Sequence, residues 1–475
     1  MNLAQYVLQA GLATPDKLAM SILGLSRADR WSHARLRQAV LGTATGLLQA
    51  GLRPGDRLLL RLGNTPAFPV TYLAAIAAGI VPVPTSAQLT EAEITRMAAA
   101  VAPAAIAHEA GVALPDHPAR ILTAAELARF ADLPPADFQQ GDPERLAYIV
   151  FTSGSSGQPR AVCHAHRAIL ARRMMFDGWY GLTPQDRLLH AGAFNWTFTL
   201  GTGLMDPWTM GATALIPAKG ITPAQIPLIA SRHGATLIAA APGVFRQMLR
   251  ADWPVWPGLR HGLTAGERLD PTLRRDWQSR TGTDLHEAMG MSEVSTFISG
   301  SPARPAPDGH AGFPQPGRRI AIRDGQLAVH RSDPGLFLGY LDQPQDSMAR
   351  FDGDWFLTGD LAQQTPDGAI RTLGRSDDLM NAGGFRVAPA EIEDALADLP
   401  GIGDLAVTEI AVPSGTIIAA FWTGPADALA LKSRAEERLA RYRQPREYIH
   451  LDALPRTATG KINRRALRCA HRKDR

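Results

Sequence analysis

The stretch Tyr148-Ile-Val-Phe-Thr-Ser-Gly-Ser-Ser-Gly-Gln-Pro-Arg160 decides how the rest of the chain is read. The apolar run Leu146-Ala-Tyr-Ile-Val-Phe151 reads as a buried strand, and it empties directly into a loop dense in hydroxyls and glycines. Such a loop suits phosphate. Glycines let backbone N–H groups turn toward an anion, Ser and Thr hydroxyls add short donors, and a helix following the loop would bring its positive N-terminal end. Triphosphate is the fitting guest; a plain Ser/Gly turn is the other reading of the loop taken alone. Walker-type loops need Gly-x-x-x-x-Gly-Lys-Ser/Thr and a nucleophile elbow needs Gly-x-Ser-x-Gly, and Gly154-Ser-Ser-Gly157 satisfies neither.

The far end of the chain offers a partner in Leu454-Pro-Arg-Thr-Ala-Thr-Gly-Lys-Ile-Asn-Arg-Arg465. The sequence has five lysines (17, 219, 432, 461 and 473) against forty-four arginines, so positive charge in general is supplied by Arg. A Lys behind Thr-Gly is then read as chosen for its compact, mobile ammonium, the alternative being a solvated Lys on a turn.

Working outward, strand-like runs such as Arg57-Leu-Leu-Leu-Arg61 and Ala235-Thr-Leu-Ile-Ala-Ala240 alternate with Ala-rich helical stretches, the rhythm of βαβ units around a buried parallel sheet. From Gly300 to Gly317 the text turns rich in Pro, Gly and Ala. Short strands with Gly turns follow, as in Arg319-Ile-Ala-Ile-Arg-Asp-Gly-Gln-Leu-Ala-Val329, and predict a small antiparallel β region. Beyond Arg375-Ser-Asp-Asp378 a segment mixing helix (Ala390–Leu396) and strand (Thr416–Phe421) predicts a second domain. The expected division is therefore residues 1–376 and 377–475, in an α/β chain with a large N-terminal domain of βαβ subdomains and a small, mobile α+β C-terminal domain.

Length, 475 residues, and composition, 45% hydrophobic and 20% charged, fit a globular protein of more than one domain. No run approaches the ~20 apolar residues of a membrane span, and Met1-Asn-Leu-Ala-Gln-Tyr6 lacks the features of a signal peptide, so a cytoplasmic location is expected. Cys163 and Cys469 suggest neither a disulfide framework nor a zinc motif. The net charge of +4 gathers mainly in the tail Arg464–Arg475 with no nucleic-acid fold signature, and no nucleic-acid partner is expected. His164, His166 and His190 are read as structural histidines rather than a metal site or general base, although His190 precedes a candidate pocket segment and could touch substrate.

Several further motifs stand in order along nearly the whole chain: Gly51-Leu-Arg-Pro-Gly-Asp56, Gly63-Asn-Thr-Pro66, Gly79-Ile-Val-Pro-Val-Pro84, the phosphate loop, Ala265-Gly-Glu267, Met289-Gly-Met-Ser-Glu293, Phe356-Leu-Thr-Gly-Asp360, Gly374-Arg-Ser-Asp-Asp378, Gly383-Gly-Phe-Arg386 and Thr459-Gly-Lys461. With them the chain resembles the adenylate-forming superfamily of acyl-CoA synthetases, firefly luciferases and peptide-synthetase adenylation domains, and most resembles aryl- or medium-chain acyl-CoA ligases. The resemblance implies an ATP-dependent carboxylate–CoA ligase, which makes an acyl-adenylate and pyrophosphate and then an acyl-CoA thioester from an aromatic or short- to medium-chain acid. It also admits an adenylation enzyme that loads a separate carrier protein, or a degenerate acyl or nucleotide sensor; the first is expected because the motifs are intact and no carrier domain is expected after residue 475.

The resemblance assigns the residues as follows. Thr152, Ser153, Gly154, Ser155, Ser156 and Gly157 hold phosphate together with Arg160, which stands where a lysine is usual, while Ala161 stands where a glycine is usual. Ala265, Gly266, Glu267, Met289, Gly290, Met291 and Ser292 complete the ATP/AMP site. Glu293, with Thr152, holds Mg2+; Asp360 takes the ribose hydroxyls; Arg375 lies on the ribose or α-phosphate; Lys461 bridges carboxylate and α-phosphate. A hinge at Asp377 rotates Lys461 away and brings Gly383, Gly384 and Phe385 to the coenzyme A tunnel. Phe194, Asn195, Trp196, Gly243 and Val244 line the acyl pocket. The spacing of Trp196 to Pro207-Trp208 resembles medium-chain synthetases, whereas Met289 with Phe297-Ile-Ser299 is similar to benzoate-type ligases. The stretch around Lys461 also resembles one acetylated in relatives, so a lysine acetyltransferase is an expected partner, and a homodimer is a possible assembly.

Overall fold

The computed structural model describes residues 1–153, 159–378, 380–382, 385–412, 415–457 and 462–471. The chain falls into two compact units, residues 1–319 with 330–354 and residues 320–329 with 355–475.

In the first unit, the apolar runs of the sequence become parallel strands. A nine-stranded sheet runs in the order Phe313–Pro314, Ser295–Ser299, Leu285–Met291, His261–Ala265, Leu237–Ala240, Arg187–His190, Thr213–Pro217, Leu18–Leu23, Ala28–Ser32. Its inner pairings, from Leu285–Met291 to Leu18–Leu23, are parallel, and its outer strands are antiparallel. Alternate residues feed two cores on opposite faces: Leu189, Ile238 and Ala240 pack with Phe245 and Trp277, while Leu188, Ala239 and Leu263 pack with Trp179 and Phe198. A second, four-stranded sheet, Val81–Pro84, Arg57–Arg61, Ala105–His108, Arg120–Thr123, is parallel throughout. Its crossover helix Ala67–Ala77 is buried at ten of eleven positions, which explains a sequence with no polar face.

The phosphate loop lies outside the described residues, but its two flanks are strands. Leu146–Ser153 pairs antiparallel with Pro159–Ala165, placing Thr152 opposite Arg160. The segment after the loop, considered as a helix from the sequence, is thus a strand. The reason is long-range: Pro159–Ala165 is the middle strand of three, paired on its other edge with Gly339–Tyr340 from far along the chain. Buried on both sides at Val162 and Cys163, it gains more as a central strand than as a short helix.

In the second unit, Ile320–Arg323 and Gln326–His330 form the expected hairpin, turning at Asp324-Gly325 with φ of 46° and 75°. Trp355–Gln364 pairs with Ile370–Arg375. Leu405–Val412, Gly415–Trp422 and Glu447–His450 make a three-stranded sheet, and helix Pro389–Leu396 packs on it through Ile392 and Leu396 against Val407 and Ile418. The cut expected at residue 376 falls within this unit, so it is a proposal about motion rather than a packing boundary.

Candidate active site

Glu293 follows the strand Leu285–Met291 and is 6% exposed. A buried carboxylate needs donors. The Tyr340 hydroxyl donates to its Oε1 at 2.8 Å, and its own backbone carbonyl accepts from Phe337 N–H at 2.8 Å. Burial, then the Glu293 charge, push the Tyr340 phenol up to about 12, so it stays a donor across the working pH range. Tyr340 also closes the phosphate hairpin, pairing with Val162, and Arg160 stands over its ring at 5.1 Å while reaching Asp346 at 3.8 Å. One residue earlier, the Ser292 carbonyl lies 2.7 Å from His164 Nε2, whose ring stacks on Tyr148 at 4.9 Å. The hairpin that carries the phosphate loop therefore also fixes Ser292 and Glu293.

His164 is held down to about 4 by burial and is neutral. His166 accepts from Leu3 N–H through Nδ1 at 3.0 Å and is likewise neutral, near 3, because of burial. Among the described residues no group of three or more His, Cys, Asp or Glu is placed to hold a metal. A magnesium ion suits such a place when it takes one carboxylate and fills its shell with water and phosphate oxygen. Glu293 has that chemistry, with Tyr340 on Oε1 and a second hard oxygen beside it.

The acyl-pocket candidates are distributed over two cores. Phe194 is buried against Phe68, ring centroids 5.6 Å apart, and its N–H donates to Asn64 Oδ1 at 3.0 Å while Asn64 Nδ2 donates to the Gly192 carbonyl at 2.8 Å. Asn64 thus clamps both sides of Ala193, a role its place in Gly63-Asn-Thr-Pro66 did not disclose. Trp196 packs edge-on to Phe198 at 5.0 Å and against the core that includes Ala265 and Ala288. Gly266, at φ 96°, lets the Trp196 ring close in: a Cβ there would sit 2.7 Å from Trp196 Cζ2. Asn195 and Met289 are half-buried, as are Gly290, Met291 and Ser292. Val244 packs on the opposite core with Phe245 and Trp277, a Cβ on its neighbour Gly243 would meet open space, and Glu267 reaches Arg246 at 4.0 Å.

In the second unit, Asp360 and Arg375 face each other across paired strands. Arg375 Nη1 donates to Asp360 Oδ1 at 3.4 Å and to the Thr358 carbonyl at 3.0 Å. Gly154, Ser155, Ser156, Gly157, Gly383, Gly384 and Lys461 lie outside the described residues, as do the side chains of Ser153, Asp377 and Phe385.

Parallel α/β sheets, with a strand hairpin tied through His164 and Tyr340 to the segment that bears the buried Glu293 carboxylate, followed by a smaller α+β segment, make the adenylate-forming fold: a large N-terminal AMP-binding domain and a small C-terminal domain. The chain belongs to the AMP-binding enzymes, matched over residues 8–340 by that family and over residues 391–461 by the AMP-binding enzyme C-terminal domain, and within them to the AMP-forming acid–CoA ligases. It is 28% identical to a 3-hydroxybenzoate–CoA ligase of Aromatoleum sp. (strain CIB), covering 98% of this chain and 96% of that one. It is 27% identical to the mitochondrial acyl-coenzyme A synthetase ACSM2A of Homo sapiens, covering 97% and 88%. The structure of a benzoate CoA ligase from Burkholderia xenovorans LB400 matches with a TM-score of 0.88 at 25% identity, covering 98% of this chain and 100% of that chain. No helix among the described residues is long and apolar enough to cross a membrane.

Proposed function

We propose that the protein is an ATP-dependent carboxylate–CoA ligase acting on an aromatic or short- to medium-chain acid. The observation that supports this reading best is the coupling of Glu293 to the phosphate hairpin through Tyr340 and His164. Carboxylate and triphosphate repel each other, so the first half-reaction needs preorganised positive charge and donors where negative charge develops. In this reading Thr152, Arg160 and the loop residues 153–157 hold the departing pyrophosphate, Asp360 accepts the ribose hydroxyls, Arg375 lies beside it, and Lys461 bridges the acid and the α-phosphate. Glu293 and Thr152 would hold Mg2+, which offsets phosphate charge when bound. A turn at Asp377 then exchanges Lys461 for Gly383, Gly384 and Phe385, where the two glycines permit close backbone approach to the pantetheine arm. Met289 and the Trp196 side of the pocket favour a compact apolar acid, in keeping with benzoate-type and medium-chain relatives.

The decisive assay follows pyrophosphate release with ATP and magnesium over substituted benzoates and straight-chain acids from acetate to decanoate, with and without coenzyme A. Turnover that requires coenzyme A for one acid class supports the ligase; release indifferent to coenzyme A speaks for carrier-protein loading; silence with all acids rejects both.

Two variants probe the supports. Tyr340→Phe removes the donor from a buried carboxylate and should lower kcat/KM for ATP about tenfold, with a higher magnesium requirement. Unchanged magnesium dependence would separate Tyr340 from the cation. Asn64→Ala should raise KM for the acid about tenfold and move KM for ATP far less, because the lost clamp holds Gly192 and Phe194, on the acyl-pocket segment; equal rises in both constants would make Asn64 a general scaffold residue.

A further inference from the structure

Helix His33–Gln49 sets His33, Arg37 and Leu41 one turn apart on a single face. That face, with Leu8 from helix Leu3–Leu8 and Leu12 from the short turn of helix Ala10–Ala13, walls a groove of about 270 Å3. None of its lining residues belongs to the candidate active site. The helix follows strand Ala28–Ser32, which is one edge of the nine-stranded sheet, whereas Leu285–Met291, which leads to Glu293, lies toward the other edge. The walls are mostly apolar. Leu8 and Leu41 are buried, and Leu12 is 57% exposed, so the groove opens to solvent on that side.

One charge lines this surface. Arg37 is half-buried, and among the described residues its guanidinium makes no hydrogen bond or ion pair; the Phe138 ring lies against it at 5.1 Å. Two residues earlier on the same helix, Arg35 is paired with Asp29 at 3.3 Å. Burial lowers the pKa of Arg37 from the ordinary guanidinium value, and no carboxylate acts to raise it again. The group still carries its charge at any working pH. The other polar groups on the wall are committed or neutral. Gln38 Nε2 donates to the Leu133 carbonyl at 2.9 Å. His33 is held below its ordinary pKa by burial, then by the Lys17 charge, and Lys17 Nζ donates to the Gly211 carbonyl at 2.7 Å. No Asp or Glu lines the groove.

The chemistry of a ligand follows from this wall. An unpaired guanidinium beside leucines complements one planar oxyanion on a hydrocarbon body: the fork takes a carboxylate through two parallel hydrogen bonds, and the leucines take the methylenes or ring. A phosphate monoester would bring nearly two negative charges to one cation and set polar oxygens against leucine. The volume lies just under the ~300–1,000 Å3 of pockets that enclose drug-sized ligands, which limits the occupant to a small molecule. We propose that this groove is a binding site for a small apolar monocarboxylate, held by Arg37 and separate from the ATP-dependent site. The inference does not rest on the ligase reading.

Equilibrium dialysis of the full-length protein against octanoate, without ATP or coenzyme A, counts the acid bound per chain. Arg37→Gln should weaken one class of octanoate site at least about tenfold. Leu12→Asp, a change at an exposed position that adds a repelling charge, should do the same, with the circular dichroism spectrum unchanged in both variants. Octanol, which lacks the charge, should bind that site at least about tenfold more weakly than octanoate. With any acid that proves a substrate, coenzyme A-dependent kcat/KM of Arg37→Gln should match the wild type. Octanoate binding that neither variant weakens, octanol bound as tightly as octanoate, or no octanoate bound at all overturns the inference and leaves the ligase reading standing. A wild-type dimer that Leu12→Asp splits, with no Arg37-dependent octanoate bound, makes the groove an interface between copies and overturns it too. Silence in the pyrophosphate assay rejects the ligase reading alone, because Arg37-dependent binding is read without turnover.

Discussion

Lys461→Ala should slow pyrophosphate release about a thousandfold while sparing thioester formation from supplied acyl-adenylate. The first half-reaction brings an anionic carboxylate to an anionic α-phosphate, and a point charge between them is worth most in its transition state. The second half-reaction starts after that charge has been resolved, and in the proposed rotation Lys461 has left the site. Lys461 itself lies outside the described residues, but its flanks do not. Arg456 and Ile462 form an antiparallel bridge, Asn463 N–H donates to the Pro455 carbonyl at 2.7 Å, and Arg464 is anchored to Glu393 at 2.6 Å. The two ends of the loop are thus tied to each other and, through Arg464, to the helix Pro389–Leu396. In a chain with forty-four arginines and five lysines, Lys461→Arg should not restore more than about a tenth of the activity, because a planar fork does not replace a compact charge. Equal loss of both half-reactions in Lys461→Ala, on folded protein, would reject the assignment.

What the sequence disclosed and what it hid divide along contact distance. The βαβ rhythm, the Asp324-Gly325 hairpin and the strand before the phosphate loop are local patterns, set by hydrophobic period and turn chemistry. The motif residues were equally visible, since each sits in a short run with its own spacing. Hidden were the supports. Tyr340 reaches Glu293, Asn64 reaches Gly192 and Phe194, and Pro159–Ala165 becomes a central strand only because Gly339–Tyr340 covers its far edge. Nothing in a Gly-Tyr dipeptide or a lone Asn announces a partner that far along the chain.

Asp333→Ala should destabilise the first unit by about 3–5 kcal/mol, the largest effect on stability expected of any single side chain discussed. Arg318 and Asp333 have wholly buried side chains. Arg318 Nε donates to both Asp333 oxygens at 3.1 and 3.0 Å, its Nη2 donates to Oδ1 at 2.9 Å, and further N–H groups reach the Val294 and Thr296 carbonyls. Asp333 in turn accepts from the backbone N–H of Arg319 at 2.9 Å and of Gly335 at 2.8 Å. The pair is tolerated because nearly every donor and acceptor is met; the truncation would strand a guanidinium that cannot neutralise by losing its proton. The carbonyls that Arg318 holds flank Ser295 directly after Glu293, so magnesium-dependent activity should fall at temperatures below the unfolding transition. Arg318→Met combined with Asp333→Leu removes both charges and should recover most of the lost stability, measured as the denaturant midpoint of the first transition. If the double variant is as unstable as Asp333→Ala, the cost comes from the lost backbone contacts of Asp333 and not from an unpaired buried charge.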